Sequence, residues 1–332
     1  MKAAMRIVSL LPAGTEIVFA LGLADQLVGR SHLCDYPAEV ADIPVVTVDD
    51  PQLTTSRHQG DPVSVLEHRR GVRCQIDVDL LSRLEPDLVV ASGADDGAPS
   101  SCRAVREALR AGGVSATVAG LDPRSLEGIF NSIASVGAFA EAEDEAVGLV
   151  ELLRERLGGL ENRILERRLE GIPSRRAIVL QSLHPPVQSG YWVPEIVRRA
   201  GGWELLGREG EDPEATTWDR VREVEPEVIV LALEGTDGPK ATAELASTSL
   251  PDWFDDLEAV RDGELFAVDG SGLLLRPGPR IVEGVAVLAE LFDPEGLAGA
   301  GPMGAWIPLG PLGIGKTISP ERMAGPLGDT RR

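Results

Sequence analysis

The chain is poor in the residues that usually carry chemistry. Among its 332 residues are three cysteines, Cys34, Cys74 and Cys102, an odd number without C-x-x-C spacing. That argues against a disulfide framework and against a structural zinc site. Histidines number four, His32, His58, His68 and His184, and they form no cluster along the chain. Neither a G-x-S-x-G elbow nor an H-E-x-x-H pair occurs, so the motifs expected of a hydrolase or a metalloprotease are missing. No apolar run approaches the ~20 residues that a spanning helix needs. Aromatic residues make up 4% of the chain. Positive charge is short as well: 32 Lys and Arg stand against 53 Asp and Glu, a formal net charge of −21. Such a surface repels phosphate backbones and anionic membranes, so no nucleic-acid partner and no membrane insertion are expected.

What is present is a regular alternation. Hydrophobic residues make up 43%, enough for one or two cores, and the length suits about two domains. Short β-rich apolar runs fall at Arg6–Leu11, Leu27–Ser31, Val45–Val48, Asp87–Ser92 and Ala116–Gly120. A second series falls at Arg176–Gln181, Glu227–Leu233 and Glu264–Val268. Helical spacing lies between them, as at Val78–Leu84, Arg103–Ala111 and Val193–Ala200. This order predicts α/β architecture with parallel sheets covered by helices. Met1–Leu23, two positive charges followed by apolar residues, resembles a signal peptide only superficially. Pro12, Gly14, Thr15 and Glu16 interrupt it, no A-x-A-like site follows, and Arg6–Leu11 reads as a buried strand. The expected compartment is the cytoplasm, with a periplasmic or cell-surface location as the alternative.

Asp79–Val90 has an echo at Asp219–Val230: in both, a short helical stretch stops at x-Pro and a buried strand begins. Proline disfavours helix at the residue before it, which sharpens the switch. Between the copies, Glu141–Glu170 carries Val147, Val150, Leu153, Leu157, Leu160 and Ile164 as one apolar stripe. This predicts a helix of about 45 Å joining two similar lobes. Gly158-Gly159 is expected to weaken it, and Gly171 and Pro173 to end it. The expected division is 1–124, 125–172, 173–294 and a tail, 295–332, that reads as a poorly ordered Gly/Pro-rich extension. Gly310–Thr317 is a formal phosphate-loop match. Trp306–Leu309 ahead of it makes a poor strand and Pro320 behind it hinders a helix, so the match reads as chance.

In open α/β sheets ligands sit beyond the carboxyl ends of the strands. The loops in question are Pro12–Thr15, Ser31–Tyr36, Gly93–Ser100, Ser182–Tyr191, Glu234–Lys240 and Asp269–Arg276. His32, Tyr36, Pro185, Pro186, Tyr191 and Trp192 suit a large, partly apolar ligand, although loop aromatics can equally pack locally. Trp218 follows an acidic loop in the second lobe.

Several of these stretches resemble one family. Arg6–Glu16, Leu27–Pro37, His184–Glu195, Ala200-Gly201-Gly202 and Arg276–Arg280 are similar, in order, to cobalamin-binding proteins of the ABC-transporter substrate-binding class. The likeness covers about residues 5–293 and is closest to the branch lacking a signal peptide. It implies two Rossmann-like lobes joined by one long helix, and a corrinoid gripped between them without catalysis, for uptake, storage or delivery. Carried onto this chain, the ligand-binding candidates are His32, Cys34, Tyr36, Asp95, Pro186, Val187, Gln188, Tyr191, Trp192, Trp218, Ser271, Leu273 and Arg276. No resident cofactor or metal is implied, with His32 the candidate for contact with a ligand's cobalt or iron. An ABC transporter permease is the implied partner. The family docks through an acidic residue on each lobe, and here Arg103 and Arg198 stand near those positions. Haem or an iron–siderophore is the alternative ligand of the same fold, and an enzyme using the cleft is the alternative class.

Overall fold

The computed structural model describes residues 4–49, 74–94, 100–233, 235–236 and 238–310. In the first lobe, β1 (Ile7–Ser9), β2 (Leu27–Arg30), β5 (Leu88–Ser92) and β6 (Thr117–Leu121) form a parallel sheet in the order β2-β1-β5-β6. β3 (Thr47–Asp49) and β4 (Cys74–Ile76) pair antiparallel as a separate ribbon. In the second lobe, β7 (Arg175–Leu183), β10 (Val228–Leu231) and β11 (Leu265–Val268) are parallel. β8 (Pro186–Gln188) and β9 (Gly202–Glu204) add to β7, and β12 (Trp306–Pro308) closes the far edge. Each of the eight strands expected from the sequence has a counterpart.

Strand alternation divides the core into layers. Successive side chains point to opposite faces. Ile7, Leu88, Val90, Ala177, Val179, Val228 and Val230 therefore face a core shared by both lobes. Their neighbours Val8, Val89 and Ala91 face an outer layer of the first lobe, and Ile178, Leu180, Ile229 and Leu231 face that of the second. Sheets covered on both sides need apolar residues at every position, hence the unbroken runs.

The shared core also takes in α1 (Pro12–Ala20), the pair α4 (Leu126–Phe139) and α5 (Glu143–Leu169), and α10 (Ile281–Phe292). The 27-residue α5 is about 40 Å long. It buries Ala146, Val150, Leu153, Leu157 and Leu160. Val147, expected in that stripe, is exposed. The reason is close packing: a Cβ on Gly137 would lie 2.3 Å from the Cβ of Ala146, so only small residues fit where α4 meets α5, and Ala146 turns inward. The helix runs unbroken through Gly158-Gly159, held by the buried leucines on either side. It ends at Glu170, followed by Gly171 at φ +98°, as expected.

The tail needs correction. Residues 296–310 are not a loose extension. Leu297 and Leu309 are buried, β12 pairs with β11, and Trp306 meets Phe266 edge-on at 5.4 Å. Pro308 obscured the strand in the sequence, but an edge strand tolerates proline. The second lobe thus runs past residue 294. Residues 311–332, with most of the phosphate-loop match, lie outside the described residues. No helix among the described residues is long and apolar enough to cross a membrane.

Candidate functional site

A cleft of about 710 Å³ opens between the lobes, within the range of small-molecule sites. Most of its walls come from the carboxyl ends of the parallel strands and the segments that follow them. The first lobe contributes Leu10–Ala13 after β1, Ser31–Leu33 and Asp35 after β2, Ser92, Ala94 and Ser100 around the end of β5, and Leu121–Arg124 after β6. The second lobe contributes Tyr191 and Trp192, Gly235 after β10, and Ser271 with Leu275–Pro277 after β11.

Local sequence explains how these side chains are held. Gly14 in the first turn of α1 lets the helix lie against β5, since a Cβ there would sit 2.6 Å from Val90 Cγ1. Gly190 does the same for the aromatic pair, because a Cβ would strike the backbone of 211–213 at 2.5–2.7 Å. Tyr191 then takes φ 54°, the left-handed region, rare for a bulky residue. Its N–H donates to Glu211 O at 2.7 Å and its carbonyl accepts from Gly210 N at 2.8 Å, which hold it there. Trp192 stacks on Tyr191 at 5.8 Å and donates its Nε1–H to Leu274 O at 2.7 Å.

Charged contacts join the lobes on both flanks of the cleft. On one, Glu16 of α1 is buried and accepts from Arg276 Nη1 at 2.7 Å and from Arg280 Nη2 and Nε at 2.5 and 3.0 Å. Arg276 Nη1 also reaches Asp35 Oδ1 at 2.8 Å. Burial works against both guanidinium charges, but hydrogen bonds to Glu16, and to Asp35 for Arg276, outweigh it and hold both above the usual arginine range. Arg280 lies 3.8 Å over the Tyr36 ring. On the other flank, Tyr191 Oη donates to Asp212 Oδ1 at 2.5 Å, and Arg124 reaches the same oxygen at 3.5 Å.

Of the candidates named from the sequence, His32, Tyr191, Trp192, Ser271 and Arg276 line the cleft. The others are placed elsewhere. Cys34 is buried beneath the loop, where its thiol accepts from Thr15 Oγ1 at 3.0 Å and burial pushes its pKa up. Tyr36 stands outside under Arg280. Pro186, Val187 and Gln188 are spent as β8, pairing with β7, and Leu273 is buried in the shared core. Trp218 opens α7 (Trp218–Glu223) and packs edge-on against buried Phe254 at 5.4 Å, inside its own lobe. Asp95 lies outside the described residues. Sequence reasoning missed the loop Leu121–Arg124, although it follows an expected strand and the carboxyl-end rule points to it. Of the docking-position arginines, Arg103 is exposed on α3 (Cys102–Ala111). Arg198 on α6 (Val193–Arg199) is paired with Glu209 at 2.6 Å. Among the described residues no group of three or more His, Cys, Asp or Glu could hold a metal ion.

Comparison with known proteins gives consistent matches. The periplasmic binding protein family profile matches residues 7–271. A substrate-binding lipoprotein of an ABC transporter from Bacillus subtilis, YvrC, named as uncharacterised, is 26% identical, covering 89% of this chain and 82% of that one. A vitamin B12-binding protein from Vibrio parahaemolyticus is 23% identical, covering 87% and 89%. Among solved structures, a periplasmic heme binding protein from Pseudomonas aeruginosa superposes with a TM-score of 0.67 at 21% identity, covering 88% and 93%. These names give the cytoplasmic expectation no support: one relative is a lipoprotein and another is periplasmic.

Proposed function

On the premise that the chain belongs to the periplasmic binding protein family, we propose that its inter-lobe cleft binds a corrinoid and hands it to an ABC transporter permease. Members of this family are solute-binding proteins of ABC transport rather than enzymes, and the chain is one of them. The finer reading concerns which solute.

The carrying observation is the pairing of the cleft's cations. Arg276 is taken by Glu16 and Asp35, and Arg124 by Asp212. A haem presents carboxylates, and a buried carboxylate needs a charged or donor partner. A corrinoid has a rim of uncharged amides, which asks instead for hydroxyls, carboxylates and apolar faces. The cleft offers Ser31, Ser92, Asp35 and Asp122 beside Leu11, Pro123, Trp192 and Pro277. The relative named for vitamin B12 supports this reading, and the heme-binding neighbour keeps haem as the rival ligand.

Titration of purified protein with cobalamin, cobinamide and haem, read by absorbance and calorimetry, tests it. The expected result is saturable corrinoid binding at least tenfold tighter than haem. The reverse order, or binding of neither, overturns it.

A further inference from the structure

Arg124 and Asp212 meet from opposite lobes, and the backbone around each is fastened down. Arg124 lines the cleft in the loop after β6. Two residues on, Leu126 N donates to Glu195 Oε2 of the second lobe at 2.8 Å, and Glu195 is buried. Ser125 between them caps α4, its Oγ accepting from Gly128 N at 3.1 Å. Asp212 belongs to a strap that runs beside β8. Gln188 N donates to Glu214 O at 2.9 Å, and Thr216 N to Pro186 O at 2.8 Å. The strap also presses on Gly190, where a Cβ would lie 2.5 Å from Pro213 N and 2.7 Å from Asp212 C.

One carboxylate is thus placed behind the cleft wall. From there Asp212 Oδ1 accepts from Tyr191 Oη at 2.5 Å and from Arg124 Nη1 at 3.5 Å. The guanidinium also lies over the Tyr191 ring, 5.1 Å from its centroid. Arg124 and Asp212 are both about half-exposed, and such pairs add little to stability. Nor does this flank need the pair to join the lobes, because the bond from Leu126 to Glu195 does so from buried positions. What the pair changes is the charge that a ligand meets. Arg276, the other guanidinium of the cleft, is held by Glu16 and Asp35. A ligand carboxylate therefore finds both lining arginines engaged and faces Asp35 and Asp122 as well. Like charges brought together cost affinity.

We infer that Asp212 is a specificity-determining residue: by engaging Arg124 it denies a ligand carboxylate its partner, so the cleft selects a macrocycle with an uncharged rim. Specificity is a difference of affinities, and withholding an attractive partner from the wrong ligand widens that difference. The inference rests on the corrinoid reading of the cleft and adds the residue that sets the choice.

The experiment compares two corrinoids on the full chain. Cobinamide carries amides around its rim, and cobyrinic acid carries carboxylates on the same ring around the same metal. The wild type should prefer cobinamide by about tenfold or more. Asp212→Asn keeps an oxygen that accepts from Tyr191 and loses only the charge. It should raise the affinity for cobyrinic acid relative to cobinamide by about fivefold, the modest size expected of a half-exposed pair. Adding Arg124→Ala to Asp212→Asn should abolish that gain. Thermal melting of each variant reports folding separately. An unchanged ratio in Asp212→Asn overturns the inference while cobinamide binding keeps the cleft reading intact. So does a gain that persists in the double variant, which would come from the loss of negative charge alone. Equal weakening of both ligands with faster release also overturns it and makes the pair a latch between the lobes. If the wild type binds neither corrinoid, or prefers cobyrinic acid, the cleft reading fails and this inference with it.

Discussion

Asp79–Val90 and Asp219–Val230, one in each lobe and 140 residues apart, fold into the same small device. In each, a short helix, α2 (Val78–Leu84) or α7, hands over to a strand, β5 or β10. The residue before the proline is a glutamate in left-handed conformation, Glu85 at φ 41° and Glu225 at φ 47°. The residue after it pins the neighbouring strand. Asp87 Oδ2 accepts from Arg6 N at 2.8 Å, and Glu227 Oε2 accepts from Arg176 N at 2.7 Å. Asp87 N and Glu227 N each donate back, to Arg6 O and Arg176 O, both at 2.8 Å. What differs is the surroundings. The first sheet is four parallel strands, whereas the second gains antiparallel β8 and β12 at its edges. At the helix start the first lobe has Val78 and the second Trp218 on Phe254. Equal local signals set equal local backbones; what each helix packs on is set by chain far away in sequence.

The largest test of that difference is to remove the second lobe's extra edge. Deleting 295–332 takes away β12 and the buried Leu297 and Leu309. Buried apolar side chains contribute about 1.5–3 kcal/mol each. With Trp306 and Ile307 added, the loss approaches the ~5–15 kcal/mol of a whole domain. Cooperative melting should disappear, and comparison with a deletion of 311–332 should assign the loss to 295–310. A wild-type melt after the longer deletion would show the edge to be dispensable.

How far this could be read from the sequence follows the range of the interactions. Strands buried on both faces carry their own signal, so β1, β5, β7, β10 and β11 were legible. β12 was not, because Pro308 and the glycines around it hide a strand that is fixed by distant partners, its pairing with β11 and the packing of Trp306 and Ile307 on the cores. The site followed the same rule. Loops beyond strand ends were legible as loops, and His32, Tyr191, Trp192, Ser271 and Arg276 lay on them. Whether a loop side chain faces the cleft or its own lobe depends on long-range partners. Cys34 turning to Thr15, Tyr36 lying under Arg280 and Trp218 resting on Phe254 are all set by such partners.

Buried charge also joins the two lobes. Glu16→Ala leaves Arg276 and Arg280 without their buried acceptor. Breaking a buried pair by removing one member costs about 3–5 kcal/mol. The melting temperature should fall accordingly, and solution scattering should show a more open molecule. A change under about 1 kcal/mol would mean that the shared apolar core alone sets the lobe geometry.

Trp218→Ala addresses the helix starts directly. Because Trp218 is partly buried on Phe254 and away from the cleft, it should cost about 2–3 kcal/mol of stability, somewhat less than a full core truncation. Cobinamide affinity of the folded protein should stay within about twofold. A tenfold loss of affinity at unchanged stability would return Trp218 to the site.

The smallest effect concerns a group of the second lobe, Glu204 in β9. Its carboxylate accepts from Val179 N, Leu206 N and Gly207 N at 3.1–3.2 Å. Burial nevertheless dominates and pushes its pKa up to about 7 from an ordinary 4.5. The sign follows from which state holds the proton. Between these two values the folded chain keeps a proton that the unfolded chain has released, so stability falls as pH rises. The contribution is full below pH about 4.5 and gone above about 7. Each pH unit between those limits changes stability by about 1.4 kcal/mol at most, so the whole swing is at most about 3 kcal/mol. Other groups titrate in the same range, so the variant isolates the effect: Glu204→Gln keeps the shape, cannot ionise and should flatten this part of the profile. Urea midpoints at about pH 5 and pH 7 for both proteins would measure it. Equal slopes in the two would place the proton elsewhere and leave Glu204 charged throughout.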